Sequence, residues 1–164
     1  MVCIMNEALE LEVGLKVLEV GAGSGYHACT IAETVAPSDA PREKWGHVWT
    51  IEIVFELYKM AEENVRRNGY SDRVTVIHGD GSLGHPENAP YDRILVTAAA
   101  PEIPDTLVEQ LKIGGIVVIP IGAPGGFQEL VKAYKRSDRS VETLHLGGVA
   151  FVPLRGRKGW RGWW

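Results

Sequence analysis

The sequence predicts an α/β fold, with a doubly wound, mostly parallel sheet and an antiparallel hairpin at the C-terminal end. Three observations support this prediction. Short apolar runs alternate with amphipathic runs of helical period up to about residue 120. Glycine and proline separate most of these runs. From residue 128 to 152 the chain is instead β-prone, with no helical pattern between its segments.

The strands and the first helix follow from local patterns. Ser24 is a good N-cap and predicts a helix over 24–36. The polar, proline-bearing segment 36–47 is predicted to be a long surface loop. The predicted strands lie near 16–20, 48–52, 74–78, 92–97 and 115–120.

Two further helices are predicted. The clearest covers 54–68 and ends at Gly69, a C-terminal cap. Another runs from about Pro104 to Lys112, where Gly114 and Gly115 end it. The apolar face of the 54–68 helix is formed by Val54, Leu57, Tyr58, Ala61 and Val65.

Length and composition indicate one globular domain. The chain has 164 residues, 45% hydrophobic and 23% charged, which is typical of globular proteins. Its net charge of −4 argues against nonspecific binding to nucleic acid or acidic membranes. Cys3 and Cys29 have no metal-site spacing and fit a reduced, cytoplasmic protein, and the scattered histidines suggest no metal site. We expect a cytoplasmic monomer without a membrane span.

The most informative segment is 17–26, Val-Leu-Glu-Val-Gly-Ala-Gly-Ser-Gly-Tyr. A predicted strand leads into glycines at positions 21, 23 and 25, where a ligand can approach the bare backbone. The dinucleotide-binding fingerprint requires a third glycine after a two-residue gap, whereas Tyr26 occupies that position here. The segment is also not followed by the Gly-Lys-Ser/Thr of a triphosphate-binding loop.

Three consecutive predicted strands each bring an acid to one edge of the sheet: Glu19, Glu52 and Asp80. Glu52 suits two vicinal ribose hydroxyls, because a carboxylate can accept from both. Asp80 suits an adenine amino group, although it could equally be a turn aspartate. Glu19 suits a ligand ammonium, and the N–H groups of 22–26 suit a carboxylate. Together these groups describe S-adenosylmethionine, the cofactor of class I S-adenosylmethionine-dependent methyltransferases, whose fold is Rossmann-like.

Several motifs extend this interpretation over nearly the whole chain, and with them the sequence resembles the protein-L-isoaspartate O-methyltransferases. The resemblance implies a cytoplasmic repair enzyme that methylates the α-carboxyl of isoaspartyl residues in damaged proteins. Besides segment 17–26, the motifs are Gly79-Asp80-Gly81, Ala89-Pro90-Tyr91-Asp92, Thr97-Ala98-Ala99-Ala100-Pro101, 110–115, Ile119-Pro120-Ile121-Gly122 and 148–154.

The resemblance also implies roles for individual residues. Val152 and Leu154 are expected to lie along the substrate peptide, Ile53 departs from the basic or aromatic residue that the family often has, and no metal is implied. The expected cofactor-binding residues are Glu19, Gly21, Ala22, Gly23, Ser24, Gly25, Tyr26, Glu52, Ile53, Asp80 and Gly81.

The family carries a Thr/Ser-x-Ser-x-Pro-His segment just before the position of Val2, and its hydroxyl lies beside the reacting groups. We therefore expect residues 1–164 to be a single, N-terminally truncated domain without an assignable catalytic residue. Weak cofactor binding and slow transfer are expected from it, with Val2, Ile4 and Met5 exposed and residues 155–164 frayed. An inactive cofactor-binding fragment, or a methyltransferase of a small molecule or RNA, is the alternative.

Overall fold

The computed structural model describes residues 1–137 and 140–162, which form one seven-stranded sheet with helices on both faces. The strands are β1 (Lys16–Val20), β2 (His47–Glu52), β3 (Val74–His78), β4 (Tyr91–Val96), β5 (Leu111–Gly122), β6 (Gln128–Lys135) and β7 (Val141–Val149). The helices are α1 (Val2–Ala8), α2 (Tyr26–Val35), α3 (Phe55–Arg67) and α4 (Asp105–Gln110). Short 3₁₀ turns cover Arg42–Lys44, Gly81–Leu83 and Pro86–Asn88.

The strand order is β3-β2-β1-β4-β5-β6-β7, so the first strand lies inside the sheet. Strand β1 pairs in parallel with β2 on one side and with β4 on the other. The chain therefore changes direction across the sheet between β1 and β4, and in open α/β sheets such a switch point forms a crevice. Strands β6 and β7 add antiparallel to β5, which confirms the predicted fold class.

Alternate residues of the central strands fill a separate core on each face of the sheet. One core packs Val17, Leu95 and Val118 against helices α1, α2 and α3. The other packs Leu18, Ile94 and further strand residues against α4 and the C-terminal segment. Because both faces are covered, β1 and β4 are apolar along most of their length, as expected for parallel strands.

Helix α2 begins two residues later than the Ser24 cap predicts. Its N-cap is Gly25, with φ at +82°, and the Ser24 hydroxyl accepts only a long bond from Tyr26 N at 3.4 Å. A Cβ on Gly25 would lie 3.2 Å from the Ala61 carbonyl oxygen of α3. The absence of a side chain at Gly25, rather than a hydroxyl cap, is what this junction of two helices requires.

Helix α4 is shorter than predicted, since it ends at Gln110 and β5 begins at Leu111. Gly114 and Gly115 therefore lie within a strand rather than at a helix end. The buried Lys135 ammonium donates to the carbonyl oxygens of Val108 at 2.8 Å and Leu111 at 2.7 Å. This cation satisfies carbonyls at the helix C-terminus that would otherwise have no partner.

Residues near both ends of the chain pack against the rest of the domain. Met5 is 1% exposed and packs in the core, whereas Ile4 is exposed. At the other end, Trp160 donates from its backbone to Leu154 O and from its indole to Ala99 O, each at 2.9 Å. Residues 155–160 are therefore not frayed, and Trp163 and Trp164 lie outside the described residues.

Candidate functional site

A cleft with a volume of about 440 Å³ opens at the switch point, above the carboxyl ends of β1, β2 and β4. Its walls are mostly apolar, and one carboxylate reaches them, that of Glu52. The lining residues are Val20, Gly21, Gly23, Ile51, Glu52, Ile53, Val54, Leu57, Gly81, Thr97, Ala98, Val152, Pro153, Leu154 and Arg155.

The glycine turn after β1 is held in place by both neighbouring strands. Gly21 N donates to Ile51 O of β2 at 2.8 Å. Just beyond β4, the Thr97 hydroxyl donates to Gly21 O at 2.7 Å, with Val20 O at 3.1 Å. Gly21 has φ at +97°, and a Cβ there would clash with the Thr97 hydroxyl. Only glycine fits this position without a rearrangement.

Glu52 is the last residue of β2, and its carboxylate joins the glycine turn to the start of α3. Oε2 accepts from Gly23 N at 2.9 Å, and Oε1 accepts from Val54 N at 3.0 Å. The side chain is 6% exposed, yet it lines the cleft. Each carboxylate oxygen has a second lone pair, so Glu52 can still accept two hydrogen bonds from a ligand.

A second, smaller cavity of about 290 Å³ lies on the other side of the glycine turn, between the turn and α1. It shares Gly21, Gly23 and Thr97 with the first cleft, so the two are neighbours across the turn. Its other lining residues are Met1, Val2, Met5, Ala22, Ser24, Tyr26, His27 and Phe151. Of the predicted residues, Gly25 lines neither cavity but lies at a groove between α2 and α3.

The structure brings most of the predicted cofactor residues together, but Glu19 is placed differently. It is the penultimate residue of β1, fully buried beneath the first turn of α2, and it lines neither cavity. Thr50 Oγ1 donates to its Oε2 at 2.5 Å. Burial raises the pKa of Glu19 to about 8. In this position the carboxyl reaches neither cavity, so the structure does not support the expected direct contact with a ligand ammonium.

Asp80 makes three hydrogen bonds within the protein. Its Oδ1 accepts from Ser82 N at 3.0 Å and from Ser82 Oγ at 2.6 Å. Its Oδ2 accepts from Arg157 N at 2.8 Å, in the segment after β7. Asp80 lies outside the cleft lining, whereas the adjacent Gly81 lines it. The turn-aspartate alternative is the one that this geometry supports.

The predicted strand around Val152 and Leu154 is a single parallel bridge between Pro153 and Ala99. Ala99 N donates to Val152 O and Leu154 N donates to Ala99 O, each at 2.8 Å. Leu154 O accepts from Trp160 N, and its side chain is 3% exposed. Both backbone polar groups of Leu154 therefore have partners within the protein, whereas the Val152 side chain is 70% exposed at the cleft.

Several residues of the cleft had no ligand-binding role in the sequence analysis, among them Thr97 and Leu57. Thr97 follows β4, and β4 lies beside β1 at the switch point. A hydroxyl residue directly after a parallel strand could have indicated a place in the site, because ligands bind at the carboxyl ends of such strands. Leu57 was assigned to the apolar core face of its helix, but 36% of it is exposed at the cleft.

Within residues 1–137 and 140–162, no three His, Cys, Asp or Glu side chains come together in a way that could hold a metal ion. None of the helices in these same residues is long and apolar enough to cross a lipid bilayer. Both cysteines, Cys3 and Cys29, are free thiols.

Comparison with known proteins identifies the family. A model of the family described as protein-L-isoaspartate(D-aspartate) O-methyltransferase matches residues 1–159. The chain belongs to this family. It is 58% identical over 161 residues to the protein-L-isoaspartate O-methyltransferase of Hyperthermus butylicus, a match covering 98% of this chain and 66% of that relative. The resemblance predicted from the sequence motifs is confirmed.

Solved structures of the family agree with the fold. One protein-L-isoaspartate O-methyltransferase superposes with a TM-score of 0.85 at 31% identity, covering 96% of this chain and 47% of that one. The Plasmodium falciparum protein described as a putative protein-L-isoaspartate O-methyltransferase, in complex with S-adenosyl-L-homocysteine, gives a TM-score of 0.77 at 26% identity. That match covers 94% of this chain and 71% of the other.

The glycine turn of this family member allows a paired test at Gly21 and Gly23. Gly21→Ala should lower the free energy of unfolding by more than about 2 kcal/mol, since it combines an unfavourable φ with a clash against Thr97. Gly23→Ala should cost only about 1 kcal/mol, because φ is +54° and no atom lies within 4 Å of the added Cβ. Urea denaturation measures both, and equal losses would contradict this account of the turn.

Proposed function

We propose that the chain binds S-adenosylmethionine and transfers its methyl group to the α-carboxyl of isoaspartyl residues, as a protein repair enzyme. The observation that carries the proposal is the Glu52 carboxylate, held by two backbone N–H groups at the edge of an apolar cleft. A carboxylate whose two oxygens each retain an acceptor site suits the two adjacent hydroxyls of a ribose. Membership of the family supports the same conclusion.

The remainder of the cofactor fits the two cavities on either side of the glycine turn. The apolar walls at Ile53, Leu57 and Gly81 suit a flat adenine ring. The smaller cavity suits the amino-acid end, reached past Gly21 and Gly23, which line both. Ala22, Ser24 and Tyr26 line this second cavity, which gives them a role in the proposal.

The backbone donors available to the amino-acid end are fewer than expected. Of the N–H groups at 22–26, four have acceptors within the protein: Ala22 N donates to Ile51 O, Gly23 N to Glu52, Gly25 N to Ala22 O and Tyr26 N to Ser24 Oγ. Ser24 N is the remaining donor in the part of the chain that the structure describes. The proposal therefore assigns the ligand carboxylate to this N–H.

Methyl transfer requires little acid–base catalysis from the protein. The α-carboxyl of an isoaspartyl residue, with an ordinary pKa of about 3.3–3.7, is already ionised at neutral pH and needs no general base. S-adenosylmethionine supplies an activated methyl group. What the protein must do is hold the carboxylate oxygen, the methyl carbon and the sulfur in line and exclude water. The exposed Val152 side chain at the cleft edge gives a peptide an apolar contact next to this position.

Binding of the cofactor product is the first test. Glu52→Ala should weaken binding of S-adenosylhomocysteine by about 1.5–3 kcal/mol, the usual range for hydrogen bonds to a charged group. Glu56→Ala removes an exposed carboxylate from the first turn of α3 and should leave the dissociation constant unchanged. Calorimetry measures both. Unchanged binding in Glu52→Ala, or tighter binding of a nicotinamide dinucleotide than of S-adenosylhomocysteine, would refute the proposed ribose site.

Transfer itself is tested with a matched pair of peptides that differ only in an isoaspartyl or an aspartyl linkage. Base-labile methyl ester should form on the isoaspartyl peptide and not on its partner. Equal methylation of the two peptides would refute the proposal that the isoaspartyl residue is the substrate. Methylation of RNA alone would favour an RNA methyltransferase instead.

We also propose that the protein works as a monomer in the cytoplasm and binds neither nucleic acid nor membrane. The net charge of −4 and the two free thiols support this proposal. Light scattering should give the mass of one chain, 18.0 kDa, with and without S-adenosylhomocysteine. A mass of twice this value would refute the monomer.

A further inference from the structure

A chain of polar side chains runs from beneath the glycine turn to α1. It starts at Glu19 on β1, passes through His27 and Thr30 on α2 and ends at Asn6 on α1. His27 Nε2 lies 2.9 Å from Asn6 Oδ1, and Asn6 Nδ2 donates to Thr30 Oγ1 at 3.2 Å. His27 Nδ1 lies 3.9 Å from Glu19 Oε1. Glu19 is fully buried, and His27 is 9% exposed.

The direction of each hydrogen bond fixes the position of the protons. The hydroxyl of Thr30 has one hydrogen, which it donates to His27 O at 2.7 Å, so it accepts from Asn6. Asn6 therefore turns its Nδ2 toward Thr30 and its Oδ1 toward His27. Because an amide oxygen only accepts, His27 Nε2 carries a proton. In a neutral imidazole, Nδ1 is then left with a lone pair.

This lone pair faces a carboxyl oxygen that also has no donor. Oε2 of Glu19 accepts from Thr50, but the buried Oε1 has no hydrogen-bond partner among residues 1–137 and 140–162. An ionised Glu19 would set a buried charge against the lone pair of His27 and leave both atoms unsatisfied. A proton on Oε1 satisfies both, after a side-chain movement of about 1 Å that closes the gap to hydrogen-bond length.

The surrounding charges favour the neutral forms of both groups. Burial raises the pKa of Glu19 to about 8, the Thr50 hydrogen bond opposes this shift, and the charge of Glu52 adds to it. Burial, with a smaller contribution from the positive charge at Met1, lowers the pKa of His27 to about 4. Cys29 on α2 is neutral as well, since burial raises the pKa of its thiol to about 11. When Glu19 and His27 are both neutral, no ion pair has to be desolvated in this buried site.

We propose that Glu19 and His27 share a single proton, held between Glu19 Oε1 and His27 Nδ1, and that this pair positions α1 against the glycine turn. The shared proton fixes the tautomer in which His27 Nε2 donates to Asn6 of α1. Met1, Val2 and Met5 on or beside α1 form a wall of the second cavity, and His27 lines the same cavity. Glu19 is thus a positioning residue rather than an ion-pair partner of the ligand.

The proton makes stability depend on pH in a defined direction. Unfolded Glu19 loses its proton near the ordinary pKa of 4.5, whereas folded Glu19 keeps it up to about 8. Between these values the folded state binds more protons, so the contribution of Glu19 to stability falls as pH rises from about 4.5 to about 8 and is constant above that. Glu19→Gln replaces O–H by N–H at nearly the same shape and removes this dependence.

The experiment compares Glu19→Gln and Glu19→Ala with Glu12→Gln, a control at an exposed carboxylate. Unfolding by urea at pH 7 and 9, above the range in which the lowered pKa of His27 makes stability rise with pH, should show stability falling with pH in the wild type and in the control. Glu19→Gln should fall less steeply and be at least as stable as the wild type at pH 9. A Glu19→Gln variant that is less stable than the wild type at pH 9 would show that the fold holds an anion there.

Spectroscopy locates the proton directly. The infrared spectrum at pH 7 should contain the carbonyl stretch of a protonated carboxylic acid, absent from Glu19→Gln, and ¹⁵N NMR should find His27 protonated at Nε2 with Nδ1 as an acceptor. An ionised Glu19 or a proton resident on His27 Nδ1 would overturn the proposal.

The consequence for the cavity rests on the proposed cofactor site. Glu19→Ala, which leaves His27 without its partner, should bind S-adenosylhomocysteine about tenfold more weakly than Glu19→Gln does. Equal affinities of these two variants would refute the positioning role. If no variant, nor the wild type, binds this ligand, the proposed function fails, while the infrared and NMR spectra still decide where the proton lies.

Discussion

The candidate site depends on one arrangement, the Glu52 carboxylate that accepts from Gly23 N and Val54 N. These two bonds tie the end of β2 to the glycine turn on one side and to the first turn of α3 on the other. Because both donors are backbone groups, the carboxylate is fixed in direction before any ligand arrives, and little conformational freedom is left to lose on binding. These two bonds therefore hold the cleft wall, the glycine turn and the start of α3 in fixed positions relative to one another.

A second carboxyl, that of Glu19, lies on the neighbouring strand. The charge of Glu52 contributes to its raised pKa. Glu52 ends its strand at the cleft, whereas Glu19 stands one residue short of the end of β1 and is covered by α2. The charge of Glu52 raises the pKa of Glu19, which burial has already raised. Two acids at adjacent strand ends thus have different surroundings, since Glu52 accepts hydrogen bonds at the cleft wall and Glu19 lies fully buried beneath α2.

The parallel sheet, and the edge of it that carries the candidate site, could be predicted from the sequence. The signals are local: one apolar run ends in Glu52 and another ends in the glycine turn. The roles of Glu19, Asp80 and Leu154 could not, since each depends on a distant partner. Asp80 accepts from Arg157, and Leu154 pairs with Ala99. Likewise, the carbonyls at the end of α4 accept from Lys135, which lies 24 to 27 residues further along the chain, on β6.

The most direct test of the account is a crystal structure of this chain with S-adenosylhomocysteine. The account predicts both ribose hydroxyls within hydrogen-bond distance of the Glu52 oxygens, the adenine against Ile53 and Leu57, and the amino-acid end beside Ser24 N. Glu19 should remain buried, away from the ligand ammonium. A ribose bound elsewhere, or a ligand ammonium paired directly with the Glu19 carboxylate, would contradict it.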